Sequence, residues 1–191
     1  MDIVAAVRSA PLVDLAIFAG LFAWFILGVI QGSIRRILGI VSIVFAFMLA
    51  ANLRGFVGDY LADHWYQFPP GYNHLLAFSI LFCVMAVAFS ILIQGYYKRT
   101  DIYAAHPIVD DIVGGLLGLL QGFILLTIAV IILGSYTLPE SFPGELDQLR
   151  RAQDLLMHQS LIAGAIRDTF VSPIMHILSG LLPSDLVSMF P

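Results

Sequence analysis

Four stretches contain no Asp, Glu, Lys or Arg: Leu15–Ile34, Ile37–Leu53, Trp65–Tyr97 and Ile112–Pro139. A helix needs about 20 mainly apolar residues to cross about 30 Å of hydrocarbon. Each stretch therefore reads as a membrane span. The second is at the short limit, and the third and fourth are long enough to carry interfacial ends. Composition agrees, because 12% of the 191 residues are charged and 60% are hydrophobic, whereas a soluble domain carries about 25% charged residues. The expected architecture is an all-α membrane protein, a four-span helical bundle with Gly-mediated packing and a C-terminal amphipathic helical tail. Its spans fall at about 12–34, 37–53, 74–97 and 112–136, within a transmembrane domain 1–139 followed by a tail 140–191.

The same composition excludes several function classes. A formal charge of −4 gives no basic field for nucleic acid, so that partner is discounted. The single cysteine, Cys83, lies inside the third apolar run and permits no internal disulfide. The histidines at 64, 74, 106, 158 and 176 are scattered without His-Glu-x-x-His spacing, so no metal site is expected. There is no Gly-x-x-x-x-Gly-Lys loop, no dinucleotide fingerprint, no Tyr-Asp with Gly-x-Gly-Asp pair and no Gly-x-Ser-Gly. A non-enzymatic protein without cofactor is expected. Arg8 precedes an apolar run with no small-residue cleavage signal, which reads as a retained first span.

Punctuation along the chain places the spans. Met1–Pro11 is a short amphipathic lead, after which Pro11 sits at a helix start and Asp14 in its first turn. Arg35 and Arg36 separate the first two runs without proline, so either the turn is tight or one helix bends there. Arg54–Tyr72 reads as a polar and aromatic loop. The third span ends on Tyr96, Tyr97, Lys98 and Arg99, and Pro107 breaks the next loop. Beyond Pro139 and Pro143, Glu145–Val171 reads as one or two amphipathic helices, and Ser172-Pro173 opens a short helix to about Leu182 suited to the bilayer surface. Arg35, Arg36, Lys98 and Arg99 lie on one side and Arg8 and Arg54 on the other. That asymmetry puts the first and third connections in the cytoplasm and both termini outside.

The densest motif is Asp110–Gly122, Asp-Asp-Ile-Val-Gly-Gly-Leu-Leu-Gly-Leu-Leu-Gln-Gly. Helical winding puts Asp111, Gly115, Gly118 and Gly122 on one face, and Gly114, Gly118 and Gly122 fall at i, i+4 spacing. Small residues at that spacing let helix backbones approach closely within a membrane. An echo lies in the first span, where Gly28-Val-Ile-Gln31-Gly32 matches Gly118-Leu-Leu-Gln121-Gly122 as Gly-x-x-Gln-Gly. The two helices are then pseudo-equivalent and meet through Gly28, Gly32, Gly114, Gly115, Gly118 and Gly122. Asp14, Asp110 and Asp111 stand at span starts, where carboxylates serve as helix caps. An ionisable group at membrane depth also marks ion paths, and in that alternative Asp14, Gln31, Asp111 and Gln121 line a polar path.

Val13-Asp14, Gly28-x-x-Gln-Gly32, Ile34-Arg35-Arg36-Ile37-Leu38-Gly39 and the Asp110–Phe123 segment together resemble the bacterial colicin V production protein family over roughly Asp14–Tyr136. The resemblance covers little of the tail. Ser33 and Arg36 depart from a pattern that carries an aromatic or apolar residue and an acidic one there. What the resemblance implies is a small inner-membrane protein of about four spans, linked to secretion of a peptide toxin and to envelope function. The partners to expect are the lipid bilayer, further copies of the chain as a homo-oligomer, and an export machinery. No catalytic residue is implied.

Overall fold

The computed structural model describes residues 11–65, 70–96, 107–135, 151, 153–171, 173–174 and 176. Four long helices account for most of them: α1 (Leu12–Gln31), α2 (Ser33–His64), α3 (Pro70–Tyr96) and α4 (Pro107–Ser135). All four are long and apolar enough to cross a membrane. In the tail a short helix, α5 (Leu161–Ile166), is flanked by single π-helical turns at Leu155–Gln159 and Arg167–Val171. The chain is a multi-pass helical membrane protein.

Gly32 sets the topology. Its φ of 79° and ψ of 169° lie in a region that is almost exclusive to glycine, and they end α1 and start α2 one residue later. The two helices then diverge and α4 lies between them. Along α4, Gly114, Gly118 and Gly122 meet Gly28, Trp24 and Leu21 in turn, so α1 runs antiparallel to it. Gly39 meets Gln121 while Val44 and Phe47 lie with Ile124 and Ile128, so α2 runs parallel to α4. The chain therefore reverses direction at Gly32, the tight turn that the Arg35-Arg36 boundary allows. It does so without α1 and α2 packing along each other: α1 packs on α4, α4 on α2, and α2 on α3.

Helix ends differ from those expected. Residues 54–64 continue α2 where a loop is expected, because Leu53–His64 contains no proline and leaving hydrocarbon is no reason for a helix to unwind. At 32 residues and 1.5 Å per residue, α2 is about 48 Å long and outreaches the hydrocarbon layer. Its last turns pack on the start of α3, with His74 Nε2 3.4 Å from Asp59 Oδ1. α3 and α4 begin earlier than their first purely apolar residues because Pro70 and Pro107 occupy the first helical position, where proline has no hydrogen bond to lose.

The core forms where small residues let helices close. Ala46, Ala50 and Ala51 of α2 are fully buried with Ala77 of α3, and Phe47 meets Phe78 edge-on at 5.4 Å. Ile128, Val130 and Ile131 of α4 continue this core. The tail adds Ala163, Ile166 and Val171, and Phe170 packs edge-on against Phe123 at 5.0 Å. Leu15, Phe18, Phe22 and Ile26, at i, i+3 and i+4 spacing, are exposed on the other side of α1, as suits a face turned to lipid. Of the short helix expected from Ser172, only Pro173, Ile174 and His176 are described, and Ile174 faces a small apolar cavity between α2 and α4. The lead, most of the Trp65–Pro70 connection, Tyr97–Arg99 and the end of the tail lie outside the described residues.

Candidate functional site

The seam between α1 and α4 comes first, because it positions everything at the hinge. A methyl group added at Gly28 would meet Gly114 C at 2.9 Å and Gly115 Cα at 3.0 Å, and one at Gly118 would meet Gly28 Cα at 3.0 Å. Gly115 lies against Phe25 and Val29, and Gly122 against Trp24 and Leu21. All of these contacts fall within one chain. They bring the α1 and α4 backbones close enough for Asp110 of α4 to reach Gly32 and the first turn of α2.

Asp110 takes that position. Its Oδ1 accepts from Ser33 N at 3.0 Å and from Ser33 Oγ. The carboxylate thus caps α2, satisfying an N–H left free at a helix start and matching the positive end of the helix dipole. Asp14 does the equivalent for the tail. Its carboxylate, only 8% exposed, accepts from Ser160 Oγ, from Leu161 N at 3.1 Å and from Ile162 N at 3.3 Å. Ser160 Oγ in turn accepts from Ala163 N at 3.0 Å. Both aspartates cap helices other than their own.

Arg36 lies one turn into α2. It is 5% exposed, and its Nη1 donates to Gln121 Oε1 at 2.7 Å. Its Nε and Nη2 have no protein acceptor, and neither does the buried Nε1 of Trp24. All three side chains line a cavity of about 380 Å³. Its floor is α2 and α4, from Arg35, Arg36, Gly39, Ser42, Ile43, Gln121 and Leu125. Its sides come from Trp24, Leu27 and Gln31 of α1 and from Ala86, Val87, Ser90 and Ile93 of α3. Gln121 lies seven residues along α4 from Gly114, which meets the hinge, so the polar centre is about 10 Å below the hinge.

The expected path residues separate. Gln31 and Gln121 both line this cavity, and Gln121 bonds Arg36 across helices. Asp14 lies at the far end of α1 under the tail, and Asp111, half-buried, is not among the lining residues. The arginines, Trp24, Ser42 and Ser90 are additions that sequence reasoning passed over. A signal existed: Arg36, Ile43, Phe47, Ala50 and Arg54 are the buried stripe of α2, and their spacing of seven, four, three and four marks one face in the sequence itself. Among the described residues no group of His, Cys, Asp and Glu could hold a metal ion.

Four helices long and apolar enough to span a membrane, packed on an apolar core beside a partly polar cavity, with carboxylates capping helix starts, define a multi-pass helical membrane protein. The chain belongs to the colicin V production protein family, whose model matches residues 13–180. The match agrees with the resemblance carried by the Asp14, Gly28–Gly32 and Asp110–Gly122 motifs. It also extends into the tail, beyond the Tyr136 limit expected from those motifs, and so takes in Ser160 and α5. No curated protein and no solved structure matches the chain.

Proposed function

We propose that this is a non-enzymatic inner-membrane protein that supports production or export of a peptide toxin, or the envelope's tolerance of membrane-active compounds. The observation that carries the reading is family membership over residues 13–180 on a fold whose conspicuous carboxylates, Asp14 and Asp110, are both engaged in capping helices. The basic residues near the span ends favour the Gly32 hinge on the cytoplasmic side and both termini outside. Partners on this reading are the bilayer, an export machinery and further copies of the chain. The test is deletion of the gene in a host that makes a peptide toxin, followed by assay of released toxin and of growth in membrane-active peptides. Loss of either, restored by the intact gene, supports the proposal. Unchanged release together with unchanged tolerance overturns it.

A second reading, a conduit for an ion or small solute, is favoured by the Gln31, Gln121 and Arg36 cluster at membrane depth. Liposome flux of the purified protein with and without Gln121→Leu separates it from the first. Flux abolished by the substitution supports conduction, and no flux in either protein removes it.

A further inference from the structure

The Arg36 cavity is a charge imbalance inside a membrane. A guanidinium is a permanent cation with five N–H donors. In hydrocarbon such a group is costly unless it is paired or reaches water. Arg36 has one neutral acceptor, Gln121 Oε1 at 2.7 Å, while its Nε and Nη2 have none. No described carboxylate lies within ion-pair distance of it, and Asp110 at the hinge holds Ser33. Arg35 lines the same cavity. Trp24 contributes a further buried N–H without an acceptor. The buried atoms without a partner at this site are all N–H donors, two of them on a cation, so the group that would satisfy them is an oxyanion.

The shape of the cavity narrows the source. α1 and α3 form its two sides but do not pack on each other; each is held through α4 and α2. The cavity therefore opens sideways between them. Leu27, Ile43, Val87, Ile93 and Leu125 make much of its wall, and Leu27 and Val87 are themselves exposed at that opening. A free anion would leave this wall wet, whereas a lipid would place acyl chain on it and phosphate at the guanidinium.

We infer that the cavity binds one anionic phospholipid, its phosphate on Arg36 and its acyl chain in the cleft between α1 and α3. This holds whether or not the toxin-support reading does.

The test uses the full chain in neutral detergent, on a Trp65→Phe background so that Trp24 alone reports by fluorescence. Short-chain phosphatidylglycerol is titrated against short-chain phosphatidylcholine, which has the chains without net charge, and against inorganic phosphate, which has the charge without chains. A saturable Trp24 response to phosphatidylglycerol at least tenfold tighter than to the other two is expected, and Arg36→Gln should weaken it at least tenfold. Gln121→Glu should also abolish it, because the new carboxylate neutralises Arg36 from within while keeping the residue's shape. That variant decides the matter even if Arg36→Gln fails to fold. Equal response to phosphatidylcholine would leave only an apolar cleft, and equal response to phosphate would leave a free-anion site. Either result, or undiminished binding by Gln121→Glu, overturns the inference.

Discussion

Substituting Gly114 by alanine tests the α1–α4 seam. The added methyl group would lie 2.5 Å from Gly28 O, 2.9 Å from Gly32 C and 3.0 Å from Gly32 Cα. All three neighbours are backbone, so no side chain can turn aside. Restoring an ordinary contact of 3.4 Å at the closest of them parts the helices by roughly 0.9 Å. A gap of that size forfeits about a quarter to a half of each atom contact's 0.1–0.2 kcal/mol, or about 1–5 kcal/mol over roughly 50 contacts. Alanine's better helix propensity returns up to about 1 kcal/mol at any position inside a helix, so it cancels against a second such substitution. Gly20→Ala, where nothing lies within 4 Å, supplies the control with the same change of chemistry. Thermal unfolding in mild detergent should place Gly114→Ala below Gly20→Ala by about 2–20 °C, at about 2–4 °C per kcal/mol for a chain of this size. Equal melting temperatures would refute the seam. If Gly114→Ala instead dissociates an oligomer and leaves the protomer's melting temperature unchanged, the glycines act between chains.

Asp14→Ala removes the acceptor for Ser160 Oγ, Leu161 N and Ile162 N; at about 1–2 kcal/mol for a lost cap, limited proteolysis should cut the tail faster, and wild-type protection would count against the latch. Gly32→Ala should cost about 1–3 kcal/mol for its glycine-only backbone angles, and Gly32→Asn should not rescue it; a melting temperature unchanged in either would show that the hinge is not fixed at this residue. Gly58→Ala should destabilise the extended end of α2, because the new methyl group lies 2.9 Å from His74 Cα, while Gly55→Ala, with nothing within 4 Å, should be neutral or mildly stabilising. Thermal melts that fail to rank these two variants in that order would mean α2 and α3 do not pack beyond the hydrocarbon.

The spans are legible because a backbone in hydrocarbon must satisfy its own hydrogen bonds, so a charge-free run of sufficient length leaves the helix as its simplest form. Their ends are not, since a helix ends where its backbone or packing stops it and not where polarity changes. Phe56 and Tyr60 beyond Leu53 sit on an exposed face of a helix that carries on. Gly28, Gly114 and Gly118 were visible as candidates because glycine has a reason to persist in a membrane helix only where another backbone comes close. Which backbone comes close depends on the fold, and here it belongs to the same chain. Asp14 is the opposite case. Its partner Ser160 is 146 residues away, and no local pattern links a carboxylate in a first turn to a tail helix that has yet to be placed.

Arg36 shows why charges at the edge of an apolar run are ambiguous. Two adjacent arginines between spans read equally as interfacial anchors or as one anchor and one interior group, and their side on the helix decides. The buried stripe of α2 selects Arg36 for the interior. Two acidic groups are engaged elsewhere, Asp110 on the α2 N-terminus and Asp14 on the tail, each held by backbone N–H groups of another helix, and Asp111 does not line the cavity. Moving either carboxylate to Arg36 would leave a helix start uncapped, and moving Asp110 would also release the turn at Gly32. The fold that buries this cation thus holds Asp14 and Asp110 elsewhere, and no described carboxylate bonds Arg36.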